Sequence, residues 1–281
     1  MNMKSVAVLL TVHNRREKTL KCLELLFENN VPDGYSIEAF LTDDGCTDGT
    51  AEAVENMFPQ VHIIKGDGNL YWNRGMWTAW DAASKTKNYD FYLWLNDDTY
   101  VFDDMLASLL SVSEEKCNQS IIVGATVDSQ TRSVVTYGGR YHNREIPSLD
   151  GENHEVPLFN GNIVLIPSRV FKIVGNLDKY YTHGKGDYDY GLRAGKHGVR
   201  MFQVGHALGV CDRHEQKEKW SDPAVPLSQR WKALHKPNGQ PPREMFYFER
   251  KHYGFMIALF HYCTIYFRCV FPSFYDKLKK R

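Results

Sequence analysis

Five consecutive apolar and aromatic residues, Phe91 to Leu95, run straight into Asn96, Asp97 and Asp98 within the stretch YDFYLWLNDDTYVFDDM (89–105). An apolar run this short, closed by polar turn residues, reads as a buried strand. Burial on both faces requires helices on both sides, the arrangement of a parallel α/β sheet. Such a strand delivers two carboxylates and an amide to its carboxyl end, where open α/β sheets bind their ligands. Adjacent carboxylates repel each other. A hard divalent cation such as Mg²⁺ or Mn²⁺, held by one or two carboxylates and by substrate phosphates, would neutralise them. Taken alone, such a pair is more often an acidic loop capping the helix after it, so the rest of the chain decides.

The first hundred residues alternate. A strand at 5–11 (SVAVLLT) is followed by His13, Asn14 and Arg15 and by a helical pattern of Leu20, Leu23, Leu26 and Phe27. A second strand at 37–42 ends in Asp43-Asp44-Gly45, and Thr47 or Asp48 can cap a helix beginning near Thr50. A third strand at 61–64 leads into the loop GDGNLYWNRG and a helix from about Asn73 to Lys87. This order predicts a doubly wound α/β fold. Past Phe102 a helix to about Cys117 is expected, then strands at 121–127, 134–137, 159–166 and 199–204, with a short helix in HGKGDYDYGLRAGKHG (183–198). Residues 220–242, Pro-rich and charged, read as a linker or extended arm, and residues 246–274 are strongly aromatic.

A chain of 281 residues can hold one large α/β domain or two small ones. The formal net charge is zero, so nothing draws it to nucleic acid. The balance conceals an asymmetry: residues 228–281 carry eleven Lys and Arg against three Asp and Glu, a tail of about +8 on a remainder of about −8. The six cysteines form no C-x-x-C pair, and Cys22, Cys263 and Cys269 lie in apolar runs, which reads as reduced core thiols in a cytosolic protein. The start, MNMKSVAVLLTVHN, turns polar too quickly for a signal peptide.

Several motifs need weighing. DDGCTDGTAEAVE has some EF-hand spacing, but its third position is Cys46, a poor calcium ligand, and a strand precedes it. A strand-end carboxylate accepting hydrogen bonds from a nucleobase or ribose is the better reading. GDGNLYWNRG lacks the G-x-x-G continuation of a dinucleotide fingerprint, and no G-x-G follows the first strand, which argues against a nicotinamide or flavin enzyme. Arg74, at a helix start, suits a diphosphate, since a guanidinium pairs with phosphate oxygens. Asp187 and Asp189 flank Tyr188; Asp187 could face a cleft while Asp189 caps the first helical turn, or both could simply be dipole partners.

Four ordered pieces, VAVLLTVHNR, LTDDGCTDGT, LNDDT and FNGNIVLIP…VGNLD…GDYDYGLRAGKHG, resemble the family-2 glycosyltransferases over roughly residues 5–215. The wording NLYWNRG and WLNDDT is most similar to bacterial rhamnosyltransferase-type enzymes of surface polysaccharide assembly. The resemblance implies a GT-A fold: a Rossmann-like mixed sheet with helices on both faces and a helical aromatic tail. A catalytic domain would cover 1–220, its nucleotide-binding half about 1–105 and its acceptor half about 106–220, with 221–281 as linker and tail. It implies an inverting transfer from a UDP-, dTDP- or GDP-linked sugar to a glycan or lipid-linked glycan, with Mg²⁺ or Mn²⁺ as cofactor.

Position by position, the resemblance puts Thr11 and His13 beside base and ribose, with Asn14 and Arg15 following on the same loop. Asp44, with Asp43 behind it, would meet the base, and Arg74 the diphosphate. Asn96-Asp97-Asp98 occupies the family's D-x-D element, with Asp98 on the metal and Asp97 near the ribose. Asp187 matches the catalytic aspartate, although the glutamate that normally precedes it is here Gly186. His214 would be the late metal- or diphosphate-binding histidine, with His206 and Asp212 as rivals.

Two other classes stay in view. A sugar nucleotidyltransferase would need a Gly-rich phosphate loop after the first strand, and HNRREK has no glycine. A non-catalytic sugar-binding module could keep the fold with Gly186 in place of the acid. The run GFMIALFHYCTIYFRCVF (254–271) is interrupted by His261 and Arg268 and is too short to span a bilayer. Basic residues on both sides suggest a helix lying at the inner face of the cell membrane; a helix packed on the catalytic domain or in a homodimer is the alternative.

Overall fold

A computed structural model of the chain describes residues 3–213 and 219–279, the last four as backbone only. The chain divides into two compact units: Met1–Lys179 with Gly186–Arg213, and Tyr180–Lys185 with His214–Arg281.

In the first unit, strands and helices alternate as β1 (Lys4–Val12), α1 (Arg16–Phe27), β2 (Tyr35–Asp43), α2 (Thr50–Met57), β3 (His62–Lys65), α3 (Tyr71–Thr86) and β4 (Phe91–Leu95). There follow β5 (Tyr100–Val101), α4 (Met105–Glu115), β6 (Ile121–Val127), β7 (Val135–Tyr137), β8 (Gly139–Arg140), β9 (His154–Glu155), β10 (Leu158–Phe159), β11 (Ile163–Pro167), α5 (Ser168–Val174), α6 (Gly186–Lys196) and β12 (Met201–Val210).

The main sheet runs β3-β2-β1-β4-β11-β6-β12-β5, with β7 on β6 and β9 on β12. Strands β3, β2, β1 and β4 are parallel, and β11 enters antiparallel to both β4 and β6. The sheet is therefore mixed, as the resemblance to a GT-A fold implied, with β11 the core strand that runs against its neighbours.

Alternation along the strands makes two cores. Val6, Val8 and Leu10 of β1 and Phe91, Leu93 and Leu95 of β4 face the side of α1 and α4, packing with Leu23, Leu26, Leu106 and Leu109. Ala7, Leu9, Tyr92 and Trp94 face the other side, under Met76, Ala79 and Trp80 of α3. There Trp80 is fully buried, 5.4 Å from Trp94, 5.0 Å from Phe171 and 5.4 Å from Tyr190 between ring centroids. These aromatics make the run FYLWL a core strand, because a continuous apolar sequence is stable as a strand only when both faces are covered.

The chain leaves β1 toward β2 and β3, then crosses to β4 on the opposite side of β1. The strand order reverses between β1 and β4, the topological switch point at whose carboxyl ends open α/β sheets bind their ligands. His13-Asn14-Arg15 follow β1 there, and Asn96-Asp97-Asp98 follow β4.

Some expected boundaries move. The single strand expected at 159–166 is two, β10 and β11, separated by a turn that contains Gly161. The strand expected at 199–204 extends to Val210. The second unit places α7 (Leu227–Leu234) inside the stretch read as linker or arm, ahead of α8 (Pro242–Tyr253), α9 (Phe255–Val270) and α10 (Pro272–Lys279). All six cysteines are free thiols, but Cys263 is exposed and Cys117 with it, so the core reading holds for Cys22 and Cys269 and not for Cys263.

Candidate active site

The carboxyl end of β4 gathers groups from across the unit. Arg15 is the pivot: its Nη1 donates to Asp97 Oδ1 at 3.1 Å and to Asp98 Oδ2 at 2.9 Å. Both carboxylates are buried to within 8% of side-chain exposure, and Arg15 is more open. Burying adjacent anions is costly unless a cation and hydrogen bonds compensate them. Compensation is incomplete here, because Asp97 Oδ2 is buried with no hydrogen-bond partner among the described residues.

Burial pushes the Asp97 carboxyl up to about 7; Arg15 opposes the shift and the charge of Asp98 adds to it. Burial and the charge of Asp98 likewise push the Cys211 thiol up to about 12, so it stays protonated, and its Sγ lies 3.8 Å from Asp98 Oδ1.

That shift has a stability consequence. A carboxyl raised well above its ordinary value keeps a proton in the folded protein that the unfolded chain has already released. The contribution is fully present below about pH 4 and is lost as pH rises through about 7. Without added metal or nucleotide, the thermal midpoint should therefore fall more steeply from pH 5 to pH 8 in the wild type than in Asp97→Asn. Parallel midpoint curves would contradict the assignment.

Asn96 is fixed from three sides. Its Oδ1 accepts from Trp72 Nε1 at 2.7 Å, its backbone N donates to Asn162 O at 3.1 Å, and its carbonyl accepts from Cys22 Sγ at 3.4 Å. Trp72, Asn162 and Cys211 were not singled out from sequence. Trp72 and Asn162 lie in the recognised strings NLYWNRG and FNGN, but nothing local marks Cys211, which reaches the site only because β12 ends beside it.

The loops above β1 and β2 brace each other. His13 Nδ1 lies 2.6 Å from Asp44 O, and Asn14, in a left-handed conformation at φ 51°, accepts from Thr47 N at 2.7 Å. Asp43 Oδ1 accepts from Cys46 N at 2.8 Å. Asp44, expected to face a base, is only 3% exposed: Oδ1 accepts from Gly68 N and Leu70 N, and Oδ2 from Tyr71 N. Its carboxylate fixes the loop that launches α3. Gly45 has φ 69°, and a Cβ there would come within 2.9 Å of Gly68 Cα, so both loops depend on that glycine. Thr11 is buried at the end of β1, where α3 comes so close that a Cβ on Gly75 would sit 2.1 Å from Thr11 Oγ1.

The first turn of α3 links these loops to α6. Trp72 holds Asn96, and Asn73, fully buried, donates to Asp178 O at 2.8 Å. A Cβ on Gly186 would fall 1.7 Å from Asn73 Oδ1. The glutamate expected before Asp187 is thus absent for a steric reason: Asn73 fills the space into which that side chain would emerge. Arg74 Nε donates to Lys179 O at 3.1 Å.

On α6, Asp187 is partly exposed, and its Oδ1 accepts from Tyr188 N at 2.8 Å. Asp189 is fully buried and pairs with Arg193 Nε at 2.8 Å, while Arg193 also donates to Val174 O and Asn176 O. Through Arg193, Asp189 ties α6 to the end of α5.

The late ligands divide. His206 Nε2 lies 3.2 Å from Asp104 Oδ2, and Asp212 accepts from Ser129 N and Oγ, so both rivals are engaged with other loops. His214 lies outside the described residues. No group of three or more His, Cys, Asp or Glu side chains that could hold a metal forms among the described residues. The donor set at β4 still fits a hard divalent cation: two adjacent carboxylates, one buried oxygen without a partner, and Arg15 supplying only part of the neutralising charge.

The mixed sheet with helices on both faces, and the Asn96–Asp98 turn at the carboxyl end of β4 beside the β1–β4 switch point, make a fold of GT-A type. The chain belongs to glycosyl transferase family 2, whose sequence pattern matches residues 7–174. Among curated proteins none matches the sequence.

Solved structures share the fold. GalNAc-T7, solved with UDP, GalNAc and Mn²⁺, is 14% identical with a TM-score of 0.56, over 76% of this chain and 45% of its own. The chain thus spans less than half the length of that protein. The mannosyltransferase PcManGT from Pyrobaculum calidifontis, solved with GDP-Man and Mn²⁺, is 13% identical with a TM-score of 0.55, over 90% of this chain and 72% of its own. TarS 1-349 of S. aureus, solved with UDP, is 14% identical with a TM-score of 0.56, over 88% and 73%.

Proposed function

We propose that the protein moves a sugar from a nucleotide-diphosphate sugar to a hydroxyl of a glycan or lipid-linked glycan, with inversion at the anomeric carbon, in cell-surface polysaccharide synthesis. The observation that carries this reading is the buried, incompletely compensated Asp97–Asp98 pair at the end of β4, facing the His13–Arg15 loop across the switch point. The Mn²⁺ in the GalNAc-T7 and PcManGT structures, and the UDP or GDP-mannose in all three, support a divalent metal and a nucleotide donor here.

Asp98 would hold Mg²⁺ or Mn²⁺, and such a cation supplies charge to the departing diphosphate. Asp97 would accept a ribose hydroxyl with its partnerless oxygen. Arg15 neutralises the pair and can exchange one carboxylate for a phosphate oxygen, since a guanidinium pairs with either. Thr11, His13 and Asn14 would line the base and ribose side together with Asp43, Asp44 contributing through the loop it fixes. Arg74 would face the diphosphate from the first turn of α3. Asp187 would accept the proton of the attacking hydroxyl, worth on the order of 10²–10⁴-fold, while the base opposes the leaving group across the sugar, the arrangement that gives inversion.

The test is release of nucleoside diphosphate from a panel of UDP-, dTDP- and GDP-sugars, the rhamnosyl donor first because of the NLYWNRG and WLNDDT strings. One donor should be consumed with Mn²⁺ or Mg²⁺, and EDTA should stop it. Undiminished release in EDTA would remove the metal from the proposal, and no release from any donor with an acceptor extract present would favour a binding module.

A further inference from the structure

We infer that the second unit carries a docking surface for an anionic lipid bilayer, formed by one face of α9 and α10; this does not depend on the reaction proposed above. Met256, Phe260, Cys263, Phe267, Phe271 and Phe274 recur at intervals of three and four residues, the spacing of one helical face, and all six are exposed. Met256 is 74% exposed and Phe260 66%. The break between α9 and α10 does not interrupt the stripe, because the Phe267 ring lies 5.4 Å from Phe271 and 6.0 Å from Phe274.

The polar residues that break this run in sequence belong to other contacts. Arg268 stacks its guanidinium 4.6 Å over the Trp220 ring and 5.6 Å over the Tyr275 ring, and His261 Nδ1 lies 3.1 Å from Glu249 of α8. The opposite side of α9 is packed: Tyr266 lies 5.3 Å from Trp231, Tyr262 lies 5.6 Å from Phe246, and Ala258 and Cys269 are buried. The helix is thus held by one face within its unit, and it presents aromatic side chains on the other. Contiguous exposed apolar surface of this kind marks an interaction site.

Length and charge choose the occupant. The 16 residues of α9 make about 24 Å of helix, less than the roughly 30 Å of a bilayer core, and no described helix is long and apolar enough to cross a membrane. A helix of this kind lies in the interface with its apolar face down. Residues 228–281 carry a charge of about +8, with Arg243 and Arg250 exposed on α8 ahead of the stripe and Lys277, Lys279, Lys280 and Arg281 after it in sequence. A two-fold pairing of this face with a second copy would set like charges against like. Anionic headgroups complement them.

Flotation of the full chain decides. It should rise with vesicles of phosphatidylcholine and phosphatidylglycerol (7:3) at low salt, stay down with phosphatidylcholine alone, and lose at least half its bound fraction in 1 M NaCl. Phe260→Ser with Phe271→Ser should cut flotation at least fivefold, with the thermal midpoint and diphosphate release unchanged. Arg250→Glu, which leaves the aromatic stripe untouched, should cut it at least twofold. A wild type that stays down with the anionic vesicles, or flotation indifferent to both variants, overturns the inference. So does a stable dimer in sedimentation equilibrium that the two serine substitutions dissociate, since the stripe would then be a protein seam.

Discussion

Asp98→Asn should abolish sugar transfer, by at least about 10³-fold in kcat/KM, while leaving the protein folded. Losing one charge-stabilising group at a reacting centre typically costs 10²–10³-fold, and a variant here would lose the proposed metal ligand as well. At 1.36 kcal/mol per decade, a thousandfold is about 4 kcal/mol of barrier. The fold should survive because asparagine keeps the shape of the side chain and can still accept from Arg15, whose second partner, Asp97, stays in place. Circular dichroism and a thermal midpoint near wild type should accompany the loss, and Mn²⁺ should no longer stabilise the variant. Activity within tenfold of wild type would place the metal, or the whole site, elsewhere.

The second large effect separates two aspartates on one helix. Asp187→Asn should lower transfer by about 10²–10⁴-fold, the usual contribution of a general base, with donor and Mn²⁺ affinity unchanged in calorimetry. Asp189→Asn should instead be a stability variant, because its carboxylate is fully buried against Arg193, which in turn fastens α6 to the carbonyls of Val174 and Asn176. Breaking one partner of a buried pair costs about 3–5 kcal/mol, so its midpoint should fall by many degrees while any folded fraction keeps its turnover per molecule. If Asp189→Asn were the well-folded, dead variant and Asp187→Asn the active one, the roles would be exchanged.

The contrast shows where sequence reasoning reached and where it stopped. The β4 strand and its Asn96-Asp97-Asp98 terminus were legible because the signal is local: an apolar run of strand length, closed by turn formers. The same holds for β1, α1 and β2, whose order places the switch point. The contacts that give the site its chemistry are not local. Arg15 reaches Asp97 and Asp98 across more than eighty residues of sequence, and Cys211 comes to Asp98 from the far end of β12. Gly186 looked like a missing acid until Asn73, more than a hundred residues earlier, was found in its place. Asp44 carries the same motif letter as Asp43, yet its oxygens are taken by the amides of the loop before α3, and only the folded loop could reveal that. One missed contact was within reach: Asp189 and Arg193 are four apart on a helix, the spacing of a side-chain ion pair.

The exposed face of α9 divides along the same line. Composition gave the apolar run and its basic flanks, whereas the removal of Arg268 and His261 from the apolar stripe depends on Trp220, Tyr275 and Glu249.

The most direct test of the proposed metal–nucleotide site is an anomalous-scattering map at the manganese edge from crystals grown with Mn²⁺ and the nucleoside diphosphate of the active donor. A single manganese peak in coordination contact with the Asp98 carboxylate, with diphosphate beside it and the ribose against Asp97, is the expected result. A manganese peak away from the end of β4, or a nucleotide bound with no metal at Asp98, would contradict it.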